Sequence, residues 1–169
     1  YVAYTKPDVK DPSTRPLTFA YNGGPGSSSV WLHMGALGPR RVMAADASPT
    51  PPPPYRLADN ESSLIDRTDL VMIDPVGTGY SRPAEGVKGE EFYGVQQDID
   101  SVSEFIRLYL SRSQRWASPK FIAGESYGTT RAALLSEHLL DSKGVALNGV
   151  ILISTVLSFQ TISVNDANE

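Results

Sequence analysis

The stretch from Lys120 to Leu140 does most to restrict the folds open to this chain. A short apolar run, Lys120 to Ala123, stops at Gly124-Glu125-Ser126-Tyr127-Gly128, and a helical pattern follows from Thr129 to Leu140. A strand that turns directly into a helix is one unit of a parallel α/β sheet. The same grammar recurs along the chain. Leu17 to Tyr21 (LTFAY) reads as a buried strand and runs into Asn22-Gly23-Gly24-Pro25-Gly26, with a short helix expected over Ser28 to Leu37. Asp69 to Ile73 (DLVMI) is a strand closed by Asp74-Pro75 and by Gly77 and Gly79. Glu90 to Arg112 reads as one long amphipathic helix, with Val95, Ile99, Val102 and Ile106 at helical spacing. Gly149 to Ile153 (GVILI) is a further strand of parallel type. Together these segments predict an α/β fold with a mostly parallel sheet flanked by helices.

The remaining segments are less regular. Tyr1 to Thr5 alternates weakly and reads as a strand, and Lys6 to Pro16 looks like a hairpin-type connection. Ser48 to Pro54 (SPTPPPP) favours extended polyproline conformation on the surface. It is not read as a domain linker, because the strands on either side belong to one alternating pattern. Thr155 to Glu169 loses periodicity and fades into polar residues. A chain of 169 residues, 40% of them apolar, is long enough for one domain with a hydrophobic core.

Composition narrows the function classes. A net charge of -4 leaves no basic footprint, so no nucleic-acid partner is expected. No apolar run approaches the roughly 18 residues of a membrane-spanning helix. The absence of cysteine excludes a thiol nucleophile, a disulfide framework and a Cys-ligated zinc site. No cluster of His, Asp and Glu has ligand spacing, so neither a metal nor an organic cofactor is expected. Asn60-Glu61-Ser62 is a glycosylation sequon, a tripeptide common by chance.

Two segments carry chemistry. Gly124-Glu125-Ser126-Tyr127-Gly128 fits G-x-S-x-G, and its strand–turn–helix setting is that of a nucleophile elbow. There Ser126 would sit in a strained turn with its hydroxyl exposed, and the start of the following helix would favour negative charge nearby. Acyl transfer also needs two backbone N–H groups aimed at the developing oxyanion. The residue after the nucleophile, Tyr127, supplies one, and a glycine-rich loop after an earlier strand supplies the other. Asn22 to Gly26 occupies that place. Either segment alone also fits a plain strand-ending turn. Their order, each after its own strand, points to a serine hydrolase.

At this point the chain resembles the serine carboxypeptidase family (peptidase family S10). The resemblance rests on Asn22-Gly23-Gly24-Pro25-Gly26-Ser27-Ser28-Ser29 with Leu37-Gly38-Pro39, on Asp74-Pro75-Val76-Gly77-Thr78-Gly79-Tyr80-Ser81, and on Gly124 to Gly128. It implies an α/β-hydrolase fold in which Ser126 attacks the scissile carbonyl and the N–H groups of Gly24 and Tyr127 form the oxyanion hole. It implies that Asn22, Glu125 and the Gly23 N–H hold the C-terminal carboxylate of a peptide substrate. Glu125 could do so only while protonated, since two facing carboxylates repel unless a proton is shared. The resemblance also implies a periplasmic or secreted setting. Ser27 stands where the family usually has cysteine, which points toward a bacterial member. Ala36 stands where the family often has a second glutamate, so Glu125 lacks that partner.

A serine nucleophile needs a histidine base and an orienting acid. The chain has two histidines. His138 lies 12 residues beyond Ser126 on the following helix, roughly 18 Å away at 1.5 Å per residue. His33 sits among Trp31, Leu32 and Met34 and reads as helix packing. A base must lie within about 3 Å of the hydroxyl, so neither is expected to serve. The order Ser, acid, His cannot be completed, because no histidine follows Asp141 or Asp166. The expectation is therefore an N-terminal portion of one α/β-hydrolase domain with an incomplete sheet. It would be inactive by itself and partnered by the remaining C-terminal part of the same enzyme. An esterase or acyltransferase of the same family, and a non-catalytic hydrolase-like binding module, are the alternatives.

Overall fold

The structure is a computed structural model that describes residues 1–44, 52–156 and 158. Five strands form the main sheet in the order β1-β5-β2-β6-β7. They are β1 (Val2–Tyr4), β2 (Leu17–Tyr21), β5 (Asp69–Met72), β6 (Lys120–Glu125) and β7 (Gly149–Ile153). β2, β5, β6 and β7 run parallel, and only β1 is antiparallel, against β5. The expected mostly parallel sheet is present, consistent with an α/β-hydrolase fold. A separate two-stranded ribbon, β3 (Arg40–Val42) with β4 (Leu57–Asp59), was not read from the sequence.

Chain direction decides which face each helix covers. From β5 the chain passes through α2 (Val95–Arg112) and over β2 to reach β6, then through α3 (Tyr127–Lys143) to β7. Both steps move the same way across the sheet, so right-handed crossovers place α2 and α3 on one face. The step from β2 to β5 moves the other way and puts α1 (Val30–Leu32, continuing as a π-helical turn His33–Leu37) on the opposite face. The core records this division. Phe19, Tyr21, Val71 and Ile122 pack with Ile99, Ile106, Leu135 and Leu139 of α2 and α3. Ala20, Leu70, Met72 and Ala123 face the other way and pack with Leu32 and Leu37. β2 has helices on both sides and is buried at every position, which is why LTFAY is apolar without alternation.

Two sequence readings need correction. Glu90 to Arg112 is not one helix: Gly89–Phe92 forms a 3₁₀ turn, the chain extends through Tyr93 and Gly94, and α2 begins at Val95. Lys6 to Pro16 is not a hairpin connection. β1 pairs with β5, so the segment crosses beneath the sheet to β2 and holds a 3₁₀ turn, Pro12–Thr14. β7 pairs parallel with β6, as its sequence suggests; Val150, Ile151 and Leu152 are exposed, and no strand beyond it pairs with it among the described residues. Most of Ser48 to Pro54 and of Thr155 to Glu169 lies outside the described residues. The sequon asparagine, Asn60, ties down the end of the π-helical turn. Its side-chain amide donates to Ala36 O at 2.6 Å and to Gly38 O at 2.8 Å.

The lower ends of the strands are tied by one carboxylate. Asp69, 2% exposed, accepts from Arg115 Nη1 at 2.5 Å, from Arg15 Nε at 2.7 Å and from the Lys6 N–H at 3.1 Å. Burial opposes its ionisation, but hydrogen bonds from Arg115, Arg15 and the Lys6 N–H outweigh it and hold the carboxyl below its ordinary value. A depressed folded pKa contributes stability that is complete above the unfolded value of about 3.9 and is lost as pH falls through the folded value. Asp69→Ala would leave Arg115 buried without its charge partner, and should cost about 3–5 kcal/mol in urea denaturation at pH 7. The difference between variant and wild type should shrink as the pH is lowered below about 4.

Candidate active site

β2 and β6 are hydrogen-bonded neighbours, with Tyr21 opposite Gly124. The connection leaving β2 goes to one face of the sheet and the connection leaving β6 goes to the other. The crevice beyond their carboxyl ends is therefore a topological switch point, the usual ligand site of an open α/β sheet. Asn22 to Gly26 and Glu125 to Gly128 both emerge there.

Ser126 has the geometry expected of an elbow. Its φ is 56° and ψ -124°, between β6 and the first turn of α3. A non-glycine residue there is strained and persists only where its surroundings fix it. Its N–H donates to Ile153 O at 3.0 Å, and its carbonyl accepts from the Thr129 N–H at 2.9 Å and the Thr129 hydroxyl at 2.7 Å. Among the described residues the hydrogen bonds of Ser126 are all through its backbone, which leaves the hydroxyl free. The 17-residue helix α3 starts at this residue and directs its positive end toward the hydroxyl.

The glycine loop lies directly on the elbow. A Cβ at Gly23 would stand 2.4 Å from Tyr127 N, 2.6 Å from Gly128 N and 2.7 Å from Glu125 O. A Cβ at Gly124 would stand 2.0 Å from Gly128 O. All these neighbours are backbone atoms that cannot step aside. Asn22, 3% exposed, accepts the Leu32 N–H on Oδ1 at 3.0 Å and donates from Nδ2 to Glu125 Oε2 at 2.9 Å. The amide orientation is therefore fixed by its partners, and Glu125 has Asn22 where the family resemblance left it without a glutamate. Gly24 and Tyr127 stand on the two segments that meet here.

Neither histidine reaches the site. His33 Nε2 pairs with the Tyr4 hydroxyl at 2.6 Å, and burial pushes its pKa down despite Asp74. His138 Nε2 lies 3.4 Å from Asp100 Oδ1, between α3 and α2. Among the described residues no group of three His, Cys, Asp or Glu side chains could hold a metal ion. No described helix is long and apolar enough to cross a membrane.

Two residues at the site were not read from the sequence. Arg131, four residues after Tyr127 on α3, is buried at the crevice with Asp98 of α2. Its guanidinium donates from Nη1 to Asn22 O at 2.8 Å and from Nε to Asp98 Oδ2 at 2.7 Å. Arg131 and Asp98 border a cavity of about 570 Å³ whose other walls include Pro25, Val76, Phe92, Tyr93 and Tyr127. The available signal was an arginine on the face of α3 that carries Ala132 and Leu135 to the core. Nothing in the sequence pattern identified Asp98 as its partner.

This geometry agrees with what comparison with known proteins finds. Residues 1–165 match the serine carboxypeptidase family. The chain belongs to that family. It is 30% identical to serine carboxypeptidase-like 33 of Arabidopsis thaliana over 138 residues, which is 80% of this chain and 27% of the relative. It is 30% identical to a carboxypeptidase Y homolog of Arthroderma benhamiae over 120 residues, 70% of this chain and 22% of the relative. A pheromone-processing carboxypeptidase of Yarrowia lipolytica is 27% identical over 141 residues, 82% of this chain and 21% of the relative. The chain thus spans about a quarter of the length of these relatives. They come from a plant and from fungi, and the serine at position 27 gains no support from them as a mark of bacterial origin.

Gly23→Ala tests the contact between loop and elbow. The added Cβ meets only backbone, so the loop must lift away from Tyr127. The variant should lose several kcal/mol of stability or, where it still folds, show displaced Tyr127 and Gly128 amide resonances by NMR. Unmoved resonances in a fully stable variant would contradict the contact.

Proposed function

We propose that this chain supplies the nucleophile, oxyanion hole and carboxylate clamp of a serine carboxypeptidase. The observation that carries the reading is the Asn22–Glu125 hydrogen bond at 2.9 Å, placed beside a strained serine at a helix N-terminus. Asn22 Nδ2 has a second N–H beyond the one given to Glu125, and the adjacent Gly23 N–H adds another donor. A peptide C-terminal carboxylate would be held by these donors and by a protonated Glu125.

In this mechanism Ser126 Oγ attacks the carbonyl carbon of the last peptide bond and its proton passes to a base. The carbonyl oxygen becomes an oxyanion held by the N–H groups of Gly24 and Tyr127, and the N-terminus of α3 adds a favourable field. Collapse expels the C-terminal amino acid, which takes up the proton, and leaves an acyl ester on Ser126. Water then hydrolyses the ester by the same steps in reverse. The base and its orienting acid are proposed to come from residues beyond these 169, in the remaining C-terminal part of the same enzyme. The support is that His33 and His138 are engaged with Tyr4 and Asp100.

The 169-residue chain by itself should therefore show no peptide turnover above background. Robust turnover abolished by Ser126→Ala would sink this part of the reading. In the whole enzyme Ser126→Ala should abolish hydrolysis. Asn22→Ala should raise KM for N-acyl dipeptides at least tenfold while changing KM for their C-terminal amides little. Equal effects of Asn22→Ala on acids and amides would rule out the clamp and leave an esterase-like hydrolase.

A further inference from the structure

The mechanism above needs two backbone segments, Asn22–Gly24 and Tyr127, to hold their N–H groups in fixed relation. The glycine contact brings them close, but steric contact alone does not stop one from sliding on the other. A side-chain assembly outside that machinery joins the same two segments. The Arg131 guanidinium is the centre of it. It donates to the Asn22 carbonyl at 2.8 Å, so it grips the loop at its first residue. It lies 5.2 Å from the ring centroid of Tyr127 and 5.2 Å from that of Tyr21. Asp98 accepts from Arg131 Nε at 2.7 Å. Tyr127 is thus held at its ring by Arg131, and Asp98 holds Arg131 in place.

Three further observations argue that this assembly does more than fill space. The Arg131 and Asp98 side chains are 3% and 12% exposed. A buried ion pair is often no more stabilising than apolar residues of the same volume, so its net contribution to folding is small. Arg131 also sits near the N-terminus of α3, the end at which the helix dipole disfavours a cation. Finally, Tyr21 keeps a fully buried hydroxyl with no hydrogen-bond partner among the described residues, which a Phe would avoid. Stability alone would favour a simpler arrangement.

We propose that Arg131 and Asp98 are positioning residues for the oxyanion hole: Arg131 fixes the Asn22 end of the glycine loop against Tyr127, and Asp98 fixes Arg131. This rests on the serine carboxypeptidase reading of the site. Neither residue touches the reacting atoms. Because Asp98 stands in the first turn of α2, the assembly also links the starts of α2 and α3.

The test uses the whole enzyme and the variants Arg131→Lys and Asp98→Asn. Arg131→Lys keeps a cation but has no planar fork to serve Asn22 O, Asp98 and two rings at once. Asp98→Asn keeps shape and removes the charge. Active sites are titrated by a phosphonate that labels Ser126, so kcat is read per folded site. Arg131→Lys and Asp98→Asn should lower kcat by roughly 10- to 100-fold, the scale of a misplacement near 1 Å, with KM for N-acyl dipeptides within about threefold. A purely structural role would lower the titrated fraction and leave kcat per site unchanged, and that result overturns the inference. Amide hydrogen exchange, which does not depend on turnover, should speed up at Gly23 and Gly24 in Asp98→Asn while Phe19 and Ile122 stay protected. Unchanged exchange at the loop overturns it equally. A wild-type enzyme that the phosphonate never labels at Ser126 instead refutes the hydrolase reading on which the inference stands.

Discussion

At the carboxyl ends of β2 and β6 the backbone of one segment touches the backbone of the other with no room for a Cβ. Gly23 lies against Tyr127 N and Gly128 N, and Gly124 lies against Gly128 O. These contacts force the chain after β6 into a turn tight enough to put Ser126 at φ 56°. A residue in that region costs of order 1–3 kcal/mol, and the surroundings must hold it there. The Ser126 N–H reaches across to Ile153 O of β7, and α3 begins at once. The positions of β7, α3 and the glycine loop all follow from that one close approach.

Charges fix the sheet at both ends for different reasons. At the lower end Asp69 gathers Arg15, Arg115 and the Lys6 N–H and joins the chain ends that enter β2 and β5. No candidate catalytic residue lies there. At the upper end Arg131 and Asp98 take up the same kind of buried pairing beside the nucleophile turn. In both places planar guanidinium groups meet carboxylate and carbonyl oxygens at once, which a lysine ammonium cannot do in the same geometry. Between the two lies the apolar layer of β2, β5 and β6 against α2 and α3.

The elements that bear the site were legible because each is written locally. LTFAY followed by NGGPG, and KFIA followed by GESYG, are strands that end in turns, and the structure places each strand where it was read, with β6 two residues longer. The break at Tyr93 and Gly94 escaped notice because Phe92 and Val95 keep an apolar spacing across it. The path of Lys6 to Pro16 escaped because strand pairing is non-local: nothing near Val2 says that its partner is Met72.

The sequence by itself determined the fold class, the order along the chain of the main-sheet strands and the helices between them, and the two turns that make Ser126 a candidate nucleophile. Those follow from short-range patterns: apolar periodicity, and glycines where side chains have no room. Only the tertiary structure decided that Tyr21 lies opposite Gly124, that Asn22 reaches Glu125 across 103 residues, and that Arg131 meets Asp98 and Asn22 O. Those pairings depend on right-handed crossovers that bring distant segments to one crevice. A hydrogen bond depends on where two atoms lie in space, and separation along the chain carries no record of it.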